Sequence, residues 1–305
     1  MFGIKQLFIS AYTLLALTAC SSENGGDNPI PSPAPSKKLP ISISTSLTSR
    51  ANDNAFERGD DIGLFMVNHQ ADGSSVPLKT TGNYIDNRKY TYRGTWTAGV
   101  PSYWIDDTTP ADFYIYYPYH YPITNIEAIP WNVKVDQSQL TDYKSGDLLM
   151  GKTLNVAPSE NAVNIAAKHM MSQMIITLVP GNGFTPSSLA AANVSVKVNQ
   201  LKTEATVNLS TSEVIVTGKE VDIIPLKEVD YYKALIVPQT VNDGNLITVN
   251  VDGRDYNLPK ASNFHAFETG KRYNFTITLS RTSNGVNVNI TNWEDDGIDY
   301  GGTAE

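Results

Sequence analysis

Tyr273-Asn274-Phe275-Thr276-Ile277-Thr278-Leu279 alternates large apolar and polar side chains without a break, and Val286-Asn287-Val288-Asn289-Ile290 does the same after an Asn284-Gly285 pair. Successive side chains of a strand point to opposite faces, so a period of two marks a half-buried strand. Asn-Gly readily takes the left-handed backbone whose twist matches paired strands, and the stretch therefore predicts a hairpin. A second hairpin is expected upstream, where Ile247, Val249 and Val251 precede Asp252-Gly253 and Tyr256 and Leu258 follow. Further strands are expected at residues 194–198, 205–209, 214–216 and 232–237. Residues 170–179 are apolar on both sides, as in a strand covered on both faces. Helix signals are scarce, and only Ser187-Ser188-Leu189-Ala190-Ala191-Ala192, after Pro186, reads as a short capped turn. Short strands at this spacing predict an all-β chain of antiparallel β-sandwiches.

The composition divides the chain in two. Ten of the 16 tyrosines lie between residues 84 and 143, together with Trp96, Trp104 and Trp131, whereas the chain beyond Asn164 is rich in Val, Ile and Thr. The polar segment 151–164 contains Pro158-Ser159-Glu160 and marks the expected boundary between an N-terminal domain, 39–160, and a C-terminal domain, 161–305. With 41% hydrophobic residues the chain can build a core, which excludes disorder as its main state. Twenty-three Lys+Arg against 31 Asp+Glu give a net charge of −8, which argues against nucleic acid as a partner.

The N-terminus reads as an export signal. One cation, Lys5, precedes an apolar run at residues 7–19 that is too short to span a membrane and the right length for a signal-peptide core. Leu17-Thr18-Ala19-Cys20 resembles the lipobox of bacterial lipoproteins, in which the cysteine thiol takes the lipid. Cys20 is the single cysteine of the chain, so an intrachain disulfide and a thiolate metal cluster are excluded and lipidation is its expected use. Several acyl chains would hold the protein on a membrane, each buried methylene contributing about 0.8 kcal/mol. Residues 20–38, with Gly25-Gly26 and Pro29, Pro31, Pro33 and Pro35, read as a tether.

Motifs for chemistry are few. Gly146-Asp147-Leu148-Leu149-Met150-Gly151-Lys152-Thr153 fits the phosphate-loop pattern G-x-x-x-x-G-K-[ST]. That loop needs an apolar strand before it and a helix after it. Here polar residues precede it, Pro158 follows, Asp147 repels phosphate, and the match is expected to be coincidence. His69, His120, His169 and His265 lack metal-ligand spacing, and His169 is expected to be a hydrogen-bonded core residue. Hydrolase signatures such as G-x-S-x-G are absent from the sequence. The reading is a non-enzymatic chain without cofactor or metal. Phe113-Tyr114-Ile115-Tyr116-Tyr117-Pro118-Tyr119-His120-Tyr121 admits two readings. Either Phe113, Ile115 and Tyr117 face a core while Tyr114 and Tyr116 cover the other face, or the rings form a sugar-binding platform on an anchored lipoprotein. The core reading is favoured.

Directly after the tether, Leu39, Ile41, Ile43 and Leu47 nearly alternate with hydroxylated residues and predict a strand over 39–48. Ser49-Arg50-Ala51-Asn52-Asp53-Asn54 follows as a polar loop with one arginine, the kind of segment a protease nicks. Cutting after Arg50 would release lipid, tether and first strand together. A sandwich that loses an edge strand exposes a groove that another subunit's strand can fill.

The chain resembles the fimbrillin-like proteins, subunits of type V pili of Gram-negative anaerobes. The matching segments are Leu17-Thr18-Ala19-Cys20, Ser49-Arg50-Ala51, Phe56-Glu57-Arg58-Gly59-Asp60-Asp61-Ile62-Gly63-Leu64-Phe65 and Phe113-Tyr114-Ile115-Tyr116-Tyr117-Pro118-Tyr119. Val135-Asp136-Gln137-Ser138, Gly146-Asp147-Leu148-Leu149, Lys168-His169-Met170-Met171-Ser172, Val237-Pro238-Gln239 and Ile290-Thr291-Asn292-Trp293 continue the match. The resemblance implies two transthyretin-like sandwiches and export as an outer-membrane lipoprotein. It further implies cleavage by a trypsin-like protease and polymerisation with other pilus subunits by strand exchange, giving a surface fimbrium that meets a host or bacterial receptor. By position, Cys20 would carry the lipid, Arg50–Ala51 would be the processed bond, and 51–305 the mature subunit. The terminal hairpin 273–293, or the tail after it, would be the donor candidate.

Overall fold

Along the strand Val163–His169 the side chains of Val163, Ile165, Ala167 and His169 are buried and those between them exposed, and this alternation recurs through the chain. The structure, a computed structural model, describes residues 38–47, 55–281, 286–292 and 301–304. The elements begin β1 Ile43–Leu47, β2 Asp61–Asn68, β3 Ile85–Tyr92, β4 Trp96–Ala98, β5 Ala111–Tyr117, β6 Ile129–Asn132, α1 Leu140–Ser145, β7 Leu149–Val156 and β8 Val163–His169. Next come β9 Ser172–Pro180, α2 Pro186–Ala191, β10 Val194–Val207, β11 Val214–Ile223, β12 Leu226–Lys227, β13 Tyr232–Ile236 and β14 Gln239–Thr240. The chain closes with β15 Asn245–Val251, β16 Arg254–Pro259, β17 Ala266–Phe267, β18 Lys271–Leu279, β19 Val286–Asn292 and β20 Gly301–Ala304. The fold is all-β, as the alternation predicts. The α2 turn stands where Pro186 placed it, capped by Thr185, whereas α1 was not expected.

The first sheet has seven strands in the order β1-β8-β7-β5-β2-β3-β4. It curls until its two edges touch: Trp96 Nε1 on β4 donates to Thr45 Oγ1 on β1 at 3.0 Å. Register shifts between Leu64 and Met66 on β2 and between Ala111 and Phe113 on β5 mark irregular pairing of the kind that strengthens local twist. The enclosed core holds Ile43, Ile62, Leu64, Trp96, Trp104, Phe113, Ile115 and Ile165. β8 lies in this sheet and β9 in another, so the chain passes between sheets at Met170–Met171.

Two further sheets face each other across a second core that includes Met174, Val198, Ile236, Val249, Tyr256 and Phe275. One runs β11-β10-β15-β16 and the other β12-β13-β9-β18-β19-β20. β6 leaves the N-terminal half to pair with β10, Trp131 opposite Ala205. A third cluster, with Tyr114, Tyr116, Trp131, Met171, Val207 and Leu235, joins strands of both halves. From Lys38 onward the chain is one compact unit.

Two expectations need correction. The sheets are not purely antiparallel, because β1 runs parallel to β8 and β18 parallel to β9. The Asp252-Gly253 hairpin forms as read, Val251 opposite Arg254, with both turn residues at positive φ. The terminal hairpin differs. Its Asn284-Gly285 turn lies outside the described residues, but Tyr273 pairs with Ile290, whereas a two-residue turn there would set Leu279 against Ile290. The reason is that β20 occupies that stretch of β18, parallel to it from Ile277 to Leu279.

Candidate functional site

The seat of β1 is built from both ends of the curled sheet. Upstream of the strand, Ile41 N donates to Ser102 O and Trp104 N to Leu39 O, both at 2.9 Å, with Pro40 opposite Tyr103. Proline fits there because an edge position asks less of its missing N–H. Further on, β1 changes partner and runs beside β8 from Ile43 opposite Val163 to Leu47 opposite Ala167. Within the sheet β1 is an edge, with β8 its only neighbouring strand among the described residues. Its inward side chains are Ile41 and Ile43, both buried, then Thr45 against Trp96, then Leu47 half-buried on the same core. Burial of the two isoleucines contributes about 1.5–3 kcal/mol each, an upper figure because unfolded chains already bury some apolar surface.

Where the described chain resumes, at Ala55, it is anchored independently. Phe56 packs edge-on to Trp96 and Tyr117, with centroids 4.9 and 5.6 Å away, and lies 6.4 Å from Tyr92. A tight turn follows, in which Glu57 N donates to Asp60 Oδ2 at 2.7 Å and Gly59 takes φ +105°. Lys144 of α1 pairs with Glu57 at 2.8 Å. A cavity of about 200 Å³ lies at the end of β1, walled by Leu47, Phe56, Tyr117, Tyr143, His169 and Lys233. His169 Nδ1 is 2.7 Å from Asp147 Oδ1, and its side chain is buried, as the sequence suggested. The Lys233 ammonium sits 4.9 Å from the Tyr143 ring centroid and 2.8 Å from Glu228 Oε1.

Of the residues singled out for processing, Cys20, Arg50 and Ala51 all lie outside the described residues. The structure brings Leu47 and Ala55, on either side of residues 48–54, to a common cavity wall. The phosphate-loop pattern is helix, turn, strand, the reverse of what a phosphate cradle needs. Gly146 caps α1, and Leu148, Leu149 and Met150 are buried. Among the described residues no group of three or more His, Cys, Asp or Glu is placed to hold a metal, and no helix is long and apolar enough to cross a membrane.

The tyrosine run resolves in favour of the core. Phe113, Ile115 and Tyr117 pack into the first core and Tyr114 and Tyr116 into the joining cluster. Burial pushes the Tyr116 and Tyr117 hydroxyls far up from the ordinary phenol value. Tyr114 and Tyr116 are therefore buried and Tyr117 half-buried, which leaves little ring face on this strand for a sugar. Only beyond the strand is a tyrosine of the run widely exposed, Tyr121 at 79%.

Two glutamines went unread. Gln137, fully buried, accepts from Leu235 N at 2.8 Å and donates to Leu235 O at 2.9 Å and Lys134 O at 3.0 Å. Gln239 accepts from Lys202 N and donates to Lys202 O and Val237 O. Each amide satisfies a strand as another strand's backbone would. Both stand in segments that carried the resemblance, Val135-Asp136-Gln137-Ser138 and Val237-Pro238-Gln239.

The described chain is thus an all-β body whose first strand, β1, lies at the edge of the first sheet with its isoleucines in that sheet's core. The fimbrillin-like family profile matches residues 49–293, and the chain belongs to that family. A protein of Bacteroides uniformis named as a candidate fimbrium subunit, Fim1C, is 28% identical over 301 residues, 95% of each chain. Among solved structures, a candidate cell adhesion protein of Bacteroides uniformis superposes with a TM-score of 0.66 at 23% identity, covering 83% of this chain and 98% of that one. Another, from Bacteroides ovatus, gives 0.66 at 16% identity over 84% and 96%. These structural likenesses establish a shared fold.

Proposed function

We propose that the chain is a structural and adhesive subunit of a cell-surface fimbrium. It is exported as a lipoprotein acylated on Cys20, cut after Arg50 by a trypsin-like protease, and polymerised when another subunit's strand takes the seat of β1. The observation that carries this reading is the position of β1: first of the described strands, last in its sheet, its isoleucines buried in the first core. The Phe56 anchor supports it, because a cut upstream leaves Phe56, the residue ahead of the β2 turn, held by three aromatic rings. Family membership supports the fimbrial role, and the curated relative is named as a fimbrium subunit.

The test is the N-terminus and intact mass of the protein recovered from the surface of its native cells, with an Arg50→Ala strain alongside. A chain that begins at Ala51, with polymers lost in Arg50→Ala, is the expected result. A chain that begins at acylated Cys20, or normal polymers in the mutant, removes the processing step.

A further inference from the structure

The seat of β1 makes two kinds of contact, and they carry different information. Backbone bonds to residues 102–104 and to β8 accept any strand, since every residue but proline offers the same donor and acceptor. Side-chain sites on alternate positions supply selectivity. Those at the Ile41, Ile43 and Leu47 positions are apolar, and the Thr45 position is not. There the indole N–H of Trp96, a residue only 7% exposed, donates to Thr45 Oγ1 at 3.0 Å. Trp96 is otherwise wrapped by Phe56 and Tyr92, with centroids 4.9 and 5.1 Å away, neither of which offers an oxygen in that contact. Indole is a donor only, and a buried donor that loses its acceptor costs more than the bond had contributed.

We propose that Trp96 sets which strand may enter the vacated seat. The occupant is a strand of another subunit running parallel to β8, with apolar side chains at the Ile41, Ile43 and Leu47 positions and a side-chain oxygen at the Thr45 position. A strand apolar at all four positions is rejected, because it covers the indole N–H without accepting from it. The seat therefore distinguishes between strands of equal hydrophobicity by one hydrogen bond. This inference rests on the strand-exchange reading above and adds to it the chemistry of the partner.

The test uses the full chain cut at Arg50 with an arginine-specific protease, the cut verified by intact mass, and fluorescent peptides with the sequence of residues 39–47. The parent peptide and its Thr45→Ser form are expected to bind within about twofold of each other. The Thr45→Val peptide, nearly the same shape, is expected to bind about tenfold or more weakly. With Trp96→Phe protein, cut in the same way, the difference between parent and Thr45→Val should shrink to about one. Equal binding of parent and Thr45→Val by the wild-type body overturns the oxygen requirement and leaves strand exchange standing. Entry of no peptide at all overturns strand exchange and this inference with it. The comparison on wild-type protein decides the matter even if Trp96→Phe does not fold.

Discussion

At Gly63 the Tyr116 ring lies where a side chain would be: a Cβ there would stand 2.1 Å from Tyr116 Cε1 and 2.6 Å from Asn87 Oδ1. The ring cannot retreat cheaply, because its hydroxyl bonds Asn87 Oδ1 at 2.7 Å and His120 O at 2.8 Å. Gly63→Ala is therefore expected to cost about 1–3 kcal/mol by overpacking, read as a lowered urea midpoint with unchanged slope. Two residues earlier, Asp61 shows a balance of forces. Burial works to raise its carboxyl, but hydrogen bonds from Lys89 at 2.6 Å and Thr91 at 2.5 Å outweigh it, and the group is held below its ordinary value. A carboxyl depressed in the folded state lends stability that is fully present above its unfolded value, about 3.9, and is lost as pH falls through the lower folded one. Asp61→Asn should cost up to about 1 kcal/mol at pH 7, the pair being partly exposed, and nothing once the wild-type carboxyl is protonated. Urea unfolding at pH 7 and in acid measures this, and a constant difference across that range would contradict the assignment. Gly63 and Asp61 both stood in a segment that looked familiar in sequence, yet the reason for each lies on β5 or β3, too far along the chain for spacing to reveal.

At the scale of elements, alternation revealed the strands but not their neighbours. Period-two patterns marked 194–198 and 205–209, which the structure joins into the single strand β10, because a half-buried strand writes its exposure into its sequence, whereas β13 is buried throughout. The same patterns could not show that β1 and β8 run parallel, since parallel and antiparallel strands with one covered face read alike. Nor could they show that β20 displaces β19 from the end of β18, which is a competition between edges rather than a property of either strand. The glutamines were invisible for a related reason: a polar residue in a polar segment looks solvated until the far strand is known. Gln137 closes the gap beside β13 by meeting both backbone groups of Leu235, which is itself fully buried. Gln137→Leu keeps the volume and leaves an N–H and a C=O buried without partners, at about 1–3 kcal/mol for each group. A loss of about 2–4 kcal/mol is expected from chemical denaturation. A loss under about 0.5 kcal/mol would mean that other groups or water satisfy Leu235.

Across the whole molecule the two sheet systems are joined by the cluster that contains Tyr114, Trp131, Met171 and Leu235, and by the pairing of β6 with β10. The change in composition near residue 160 carried no trace of this seam, because seam residues are as apolar as core residues. A force applied across the two halves would pass through this seam, whereas a loose linker would extend before either core resisted. Trp131 sits at the seam, 5% exposed, with its indole N–H donating to Gly146 O at 3.1 Å and His120 packed at 4.8 Å from its ring. Burial of part of the His120 ring holds its pKa below the ordinary value, so stability contributed by the neutral ring is present above about 6.5 and is lost as pH falls toward the lower folded value. Replacing Trp131 with Ala removes the largest side chain of the seam, at about 3–5 kcal/mol. If the halves unfold together, calorimetry shows one transition in the wild type, and Trp131→Ala moves all of it downward with a matching loss in calorimetric and van't Hoff enthalpies. Two transitions in the wild type, with only the lower one shifted by the substitution, would mean that the halves stand apart and that load is carried by the chain between them.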